Sequence, residues 1–514
     1  MKNIILTKSR VGRMIKNQSV KTTAKFSFRW VLLTLVFSAA VFTACNDFLT
    51  ENLKGDFSSD TFYQNEDQAL QAVNAAYNAI TFKGFDNALW VFGDVASDDA
   101  VKGGSAGDQT EITYIDEFAA DANNGIISNY WAFAYEAIAR CNNVITNVPL
   151  VEMNTELKDR IVGEAKFIRA YSYFNLVNIF GKVPLKLLPP VSQEAIHVPL
   201  SETTAIYVQI EKDLTDAAAV LPIAYSTSDL GRITRGAALA LLGKANLYQQ
   251  KWAVAIDYFQ QVENLAIYSL LPNYADNFKL TSENNSESIF EIQHLANQVP
   301  STGSGMNQWF APAAEGGYFF NAPTQSLVDA FEKSSTGEAD PRLDVSVGRN
   351  GQIWLNGDTY SESWSPATGF LTKKHQQPLA EVSSSLKGDG GLNYVYLRYA
   401  DLLLMKAEAL NETNQSDLAL TNLNKVRQRA RSSYIGTIPT DLLTDVTTTD
   451  KNLLRTAIQK ERRAELAQEF HRYFDLMRWG KSIAETALGP DFNYESKRYF
   501  PIPQAEIDAN QAIN

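Results

Sequence analysis

Apolar residues recur at three- and four-residue spacing in blocks along most of the chain, the period of helices that bury one face. The pattern predicts helices over Thr61–Thr81, with Phe62, Leu70, Val73 and Tyr77 on one side, and over Ile126–Val148, Leu157–Phe180, Thr203–Leu221, Arg235–Gln249 and Ala253–Leu265. It resumes at Leu397–Asn411, Asp417–Arg431 and Leu453–Gly480. Val91–Tyr114 carries Gly, Asp and Ser and reads as a loop. Between Leu271 and Tyr394 the helical period shrinks to short stretches such as Gln325–Glu332, while Gly, Ser, Asn, Pro and aromatics accumulate. The expected fold is mainly α: helices on both sides of a loop-rich insertion with short strands. Phe500-Pro501-Ile502-Pro503 is expected to close the chain as an extended strand, since each proline pushes the preceding residue out of the helical region.

Two of the helical blocks share an internal spacing. Leu239, Leu242, Gly243, Trp252, Ala255 and Phe259 follow the tetratricopeptide pattern, in which small residues let paired helices approach and large rings fill the gap between them. Leu403, Ala407, Ala419, Leu423 and Val426 repeat it more weakly, and Leu157–Phe180 supplies the first helix of a further pair. The helical part is thus expected to be a tetratricopeptide-like hairpin scaffold, an architecture that presents surfaces and carries no chemistry of its own. Trp90 and Trp131, in apolar or helical surroundings, read as core like Trp252.

The first 44 residues break with this pattern. They hold eight basic residues and no acid, then an apolar run from Trp30 to Phe42, then Thr43-Ala44-Cys45. A basic start, a short apolar run and small residues before a cut describe a secretory signal, and the run is too short for a spanning helix. A cysteine at the cut changes the meaning: Cys45 becomes the lipidated first residue of a membrane-anchored protein. The chain divides into a signal (1–44), a lipidated tether (45–60), an N-terminal helical part (61–270), the insertion (271–396) and a C-terminal helical part (397–514).

Removing the signal takes eight of the 46 basic residues and leaves 38 against 58 acidic ones, a net charge of −20. So acidic a body does not suit nucleic acid. Cys141 is the other cysteine, so no disulfide framework forms and the body must stand on its packed core. The four histidines (His197, His294, His375 and His471) fall in no His-Glu-x-x-His motif, and Gly103-Gly104 and Gly316-Gly317 lack the Lys-Ser/Thr of a phosphate loop. No metal, cofactor or catalytic residue is expected. A carboxylate pair that hydrolyses a glycoside is the enzymatic alternative, and a scaffold without a small ligand is the other.

Several runs together resemble the SusD/RagB family of nutrient-binding outer-membrane lipoproteins: Cys45-Asn46-Asp47-Phe48-Leu49, Ala165–Pro184, Gly231–Ala238, Leu397–Asn411 with Leu423–Ala430, Ile458–Gly480, and Phe500–Asn510. Each is short; their order makes them specific. Glu461, Arg462, Glu465, Glu469, Arg472, Asp475 and Arg478 in the fifth run lie at three- and four-residue spacing and read as charged stripes beside a packed one, of packing rather than catalytic meaning. The resemblance implies a SusD-like fold and non-catalytic capture of an oligosaccharide or polysaccharide at the cell exterior. It also implies delivery to a SusC-like TonB-dependent outer-membrane barrel; peptide capture is the alternative within the family.

Sugars offer flat C–H faces rimmed by hydroxyls, so their sites use exposed rings edged by polar side chains. The insertion supplies Trp309, Tyr318, Trp354, Tyr360 and Trp364 as candidates, each of which has a core position under a long loop as its alternative. Trp354 and Trp364 lead, because Asn, Gly, Ser and Asp surround them. The Asp98–Tyr114 segment, with Asp98 and Tyr114, is a second candidate. For the anchor the outcome is direct: Cys45→Ala should abolish palmitate labelling and release the protein from the membrane fraction, and unchanged labelling would remove the lipoprotein assignment.

Overall fold

The computed structural model describes residues 62–83, 87–382 and 388–513. Cys45, the signal, the tether and Thr61 lie outside the described residues. Residues 62–513 belong to one compact unit, whose core runs through a continuous stack of helices.

The long helices form where the apolar period placed them, and several start on a side chain that satisfies first-turn N–H groups. Helix α1 (Glu66–Asn78) opens on Asn65, α3 (Gly125–Asn147) on Asn124, α4 (Thr155–Phe180) on Asn154 and α6 (Arg235–Tyr248) on Thr234, each side chain accepting from the first turn. Helices α5 (Thr203–Val220) and α7 (Trp252–Asn264) complete the first half of the stack, in which α3, α4, α5, α6 and α7 pack in sequential pairs. The stack continues with α9 (Tyr399–Glu412), which packs on α7, then α10 (Ser416–Ser432) and α11 (Lys451–Glu465), which begins on Asp450. The insertion thus leaves the stack after α7 and returns to it at α9. The repeat spacing does what it predicts: a Cβ on Gly243 would sit 2.4 Å from the Phe259 ring, which is fully buried, so α6 and α7 approach across that glycine. Trp252 is only partly buried at the start of α7. Cys141 is buried in α3, and burial pushes its thiol well up. Among the described residues no helix is long and apolar enough to cross a membrane.

Three segments depart from the expected pattern. Val91–Tyr114 is not simply a loop: it holds a π turn at Val91–Val95, strand β1 (Ala100–Gly103) and the start of α2 (Thr110–Asp116). Leu453–Gly480 is not one helix. The chain breaks after Glu465 and restarts as α12 (Arg472–Trp479), with Gln468 and Phe470 at positive φ. The break is stabilised from outside. The Phe470 N–H donates to the buried Asp94 carboxylate at 3.0 Å, its ring stacks 4.9 Å from Tyr394, and its carbonyl lies where a Cβ on Gly93 would be. Phe500–Pro503 pairs with no strand; Phe500 donates instead to the carbonyl of Ile179 at the end of α4.

The largest correction concerns the charges of α11. Read as exposed stripes, Glu461, Arg462, Glu465 and Glu469 are buried, and they meet partners from remote segments. Arg398, at the end of strand β4 (Tyr394–Arg398), reaches Glu287 at 3.0 Å and both oxygens of Glu469 at 2.8 and 2.9 Å. Arg429 of α10 bonds Glu287 and Glu465, and Arg342 of the insertion bonds Asp340, Glu461 and Glu465. Lys374 reaches Glu469 at 2.7 Å. Beside them Arg462 bridges Asp401 and Asp475. Burial alone would raise these acids, but Arg398 and Lys374 hold Glu469 at about 2, and Arg429, Arg398 and Arg342 hold Glu465 well below the usual carboxylate range.

Because these carboxyls titrate lower in the folded chain than in the unfolded one, their stabilisation is complete above the unfolded glutamate value of 4.5 and fades as pH falls toward about 2. Thermal melts should therefore lose stability across that window. Glu465→Gln should cost about 3–5 kcal/mol at pH 7, because it leaves three arginines under-compensated in a dry site. Urea unfolding at unchanged midpoint would show that the lattice contributes nothing.

Candidate functional site

Strand β1 pairs antiparallel with β3 (Phe320–Pro323), Gly103 facing Phe320, and the Gly104 N–H donates to the Phe319 carbonyl at 3.0 Å. Both glycines are required. Each has positive φ, a Cβ on Gly103 would lie 2.4 Å from the Phe319 oxygen, and one on Gly104 would lie 2.4 Å from the Phe320 ring. This pairing joins the two segments that the sequence offers as separate candidates, 98–114 and the insertion.

Tyr318 stands at that junction with 40% of its surface exposed. Its N–H donates to the Gln308 carbonyl, and its ring leans on Phe320 at 6.2 Å. On one side lies the turn after β1, where Lys102 crosses under the chain to the carbonyls of Ser105 and Asp108 and leaves both side chains exposed. On the other, Asn356 donates to Glu315 at 3.3 Å and to Asp358 at 2.9 Å, tying a second polar turn to the Tyr318 loop. Tyr318 is thus an exposed ring on a loop bonded to two polar turns, one carrying Ser105 and Asp108 and the other Asn356 and Asp358. An exposed ring with polar turns beside it is the kind of surface that stacks a sugar ring and bonds its hydroxyls. The glycines flanking Tyr318 at 316–317 are the sequence signal for an exposed loop tip.

The other candidate rings are placed differently. Trp309, in the short helix α8 (Met306–Phe310), is buried and packs 6.2 Å from Trp90, so it anchors the loop rather than presenting it. Trp354, the leading candidate platform with Trp364, and Tyr360 are 2% and 1% exposed, so both take the core alternative. With the half-buried Trp364 they form a small core of their own, ring centres 5.2–6.2 Å apart, closed by Leu371 and Phe319. The polar neighbours mislead because they build the turn: Trp354 donates to Asp358, and Gly357 donates back to Trp354, so the rings fold inward beneath it. Gly348 leaves room for the Trp354 ring, which a Cβ would meet at 2.5 Å. Trp364 keeps one edge in solvent. Asp98 is a positioning group: its carboxylate bonds Arg472 at 2.7 Å and Arg463 at 2.9 Å, fixing the base of β1 to α12. Tyr114, on α2, is 46% exposed.

Gly103-Gly104-Ser105-Ala106-Gly107 has the spacing of a serine-nucleophile turn, but Ser105 is exposed five residues before α2, and among the described residues no histidine bonds it. Burial lowers His294 and His375 to about 4 and His471 to about 3, so they are neutral at pH 7. Among the described residues no cluster of three or more metal-ligating side chains occurs.

The placement of Trp354 has a measurable consequence. Trp354→Ala should lower the melting temperature and expose residues 347–372 to protease, at a cost of about 3–5 kcal/mol, the range for emptying a buried ring position. A variant that melts like wild type would return Trp354 to the surface.

Two family models match the chain: the SusD family over residues 286–514, and "Starch-binding associating with outer membrane" over residues 16–247. A SusD-like protein of Formosa agariphila is 27% identical over 94% of this chain and 97% of its own length. One from Bacteroides ovatus is 25% identical over 91% and 85%. Among solved structures, a laminarin-binding SusD-like protein is 30% identical, covers 87% of this chain and 98% of its own, and superposes with a TM-score of 0.74. Surface glycan-binding protein A from Bacteroides thetaiotaomicron, solved in complex with laminarihexaose, shares the fold with a TM-score of 0.73 at 24% identity. With a relative at this identity along nearly its whole length, and family models spanning both halves, the chain belongs to the SusD family of outer-membrane-associated proteins.

Proposed function

We propose that this protein captures a glycan at the cell surface, without cleaving it, and passes it to a TonB-dependent outer-membrane barrel, held to the membrane by lipid on Cys45. The carrying observation is the relative at 30% identity that binds laminarin, covered over 98% of its length, which makes laminarin the first ligand to test. The Tyr318 face supports the reading, since it offers an exposed ring on a loop that the β1–β3 pair joins to one polar turn and the Asn356–Glu315 bond to another. Tyr318 is the central contact, with Trp364 and Tyr114 as further rings and Asn356 and Asp358 at the edge. Helical scaffold and site divide the labour: the stack fixes the base of the insertion, and the insertion presents the ring.

Titration calorimetry with laminarin should show binding without release of reducing ends. Tyr318→Ala should weaken it by about 1–3 kcal/mol, roughly 5- to 150-fold, the scale for truncating a stacked ring. The melt should not move, because so exposed a ring contributes little to the core. Full-strength binding by the variant would place the glycan elsewhere, and turnover of laminarin by pure protein would make the chain an enzyme.

A further inference from the structure

A second cavity, of about 330 Å³, lies among the helices and shares no residue with the Tyr318 face. Asn178 near the end of α4, Thr203 and Tyr207 in the first turns of α5, Tyr248 at the end of α6, and Arg498 and Tyr499 after α12 line it. Its charge is one-sided. Lys251, Arg478 and Arg498 reach it and no carboxylate does, in a chain with 58 acidic residues against 46 basic.

Two of the three cations are already matched. Lys251 is held by Glu211 at 2.6 Å, and Arg478 by Glu408 and by Asp475 at 2.7 Å. Arg498 differs: among the described residues it forms no ion pair, and its Nε is buried without a hydrogen-bond partner. Its guanidinium is held only by ring faces, 5.1 Å from the centre of Tyr494 and 4.9 Å from that of Tyr499. Stacking of this kind fixes a guanidinium plane while leaving its N–H groups for a ligand. The start of α5 adds to the same field, since Glu202 places no side chain over the first-turn N–H groups there.

The remaining lining is that of a sugar site. Tyr207 donates to Asn178 at 3.1 Å, and burial holds the Tyr207 and Tyr248 hydroxyls protonated at neutral pH. Tyr499 is 38% exposed at the rim, where a ring can stack. A bare anion would leave most of the volume empty, since the cavity holds about ten waters' worth of space. A pyranose ring bearing a carboxylate matches both the volume and the charge.

We propose that this cavity binds the uronate unit of an acidic glycan, its carboxylate on Arg498 and its ring against Tyr499. The proposal rests on the glycan-capture reading for the sugar body, and on this cavity alone for the charge. The test is calorimetric titration of the mature protein with an oligogalacturonate, with the same oligomer reduced at its carboxyls, and with sodium sulfate. Wild type should bind the uronate at least about tenfold more tightly than the reduced oligomer, one charge-assisted hydrogen-bond pair's worth. Arg498→Gln and, independently, Tyr499→Ala should each remove about tenfold of that affinity, while Tyr318→Ala leaves it intact. Equal binding of the acidic and reduced oligomers overturns the proposal, as does uronate affinity unchanged in both cavity variants. Sulfate displacing the uronate at equal concentration overturns the sugar assignment. Should Arg498→Gln fail to fold, the wild-type comparison and Tyr499→Ala still decide. Laminarin binding lost with Tyr318 while uronate binding persists would separate this site from the other.

Discussion

The structure depends on a buried lattice of ion pairs around Glu465 and Glu469. It joins remote segments: Arg398 arrives from β4, Arg429 from α10, Glu287 from just before strand β2 (Ser288–Ile292), which pairs with β4, and Arg342 and Lys374 from the insertion. Each charge in a dry interior is costly alone, so the arrangement is stable only when every member is present. That all-or-none character fixes where the insertion sits on the helical stack, which apolar packing by itself would specify less sharply.

From that lattice the geometry passes outward to the surface. The break after α11 places Phe470 against Asp94, and Asp94 also accepts from Asn321 in β3. Asp98 and Asp99, between that π turn and β1, are tied to Arg463 and Arg472 on either side of the same break. The β1–β3 ladder is therefore anchored from below at both strands, and Tyr318 projects from a loop whose base cannot drift. A binding ring on a loop needs such a base, since a displaced platform loses stacking before it loses fold.

The two proposed sites differ in how their chemistry is held. The Tyr318 face is made of an exposed ring and polar turns bonded through Lys102, Asn356, Glu315 and Asp358, suited to hydroxyls along an extended polymer. The Arg498 cavity lies between helices, where one guanidinium is held by tyrosine faces rather than by acids. A chain can carry both because the helical stack and the insertion are built from separate runs of sequence.

The sequence by itself determined most of the long helices, the close approach of α6 and α7 across Gly243, and the family. Those features follow from local periodicity and from residue size at fixed spacing, which any reader of the chain can count. What only the tertiary structure decided is which side chains face water. Trp354 and Tyr360 turned inward because their polar neighbours make a tight turn, and the charges of α11 were buried because partners more than thirty residues away came to meet them. Arg498 went unnoticed for the same reason: nothing near it in sequence says that the acids it could pair with are absent from the cavity it enters. Burial and pairing depend on contacts between segments far apart in the chain, and a local pattern holds no record of them.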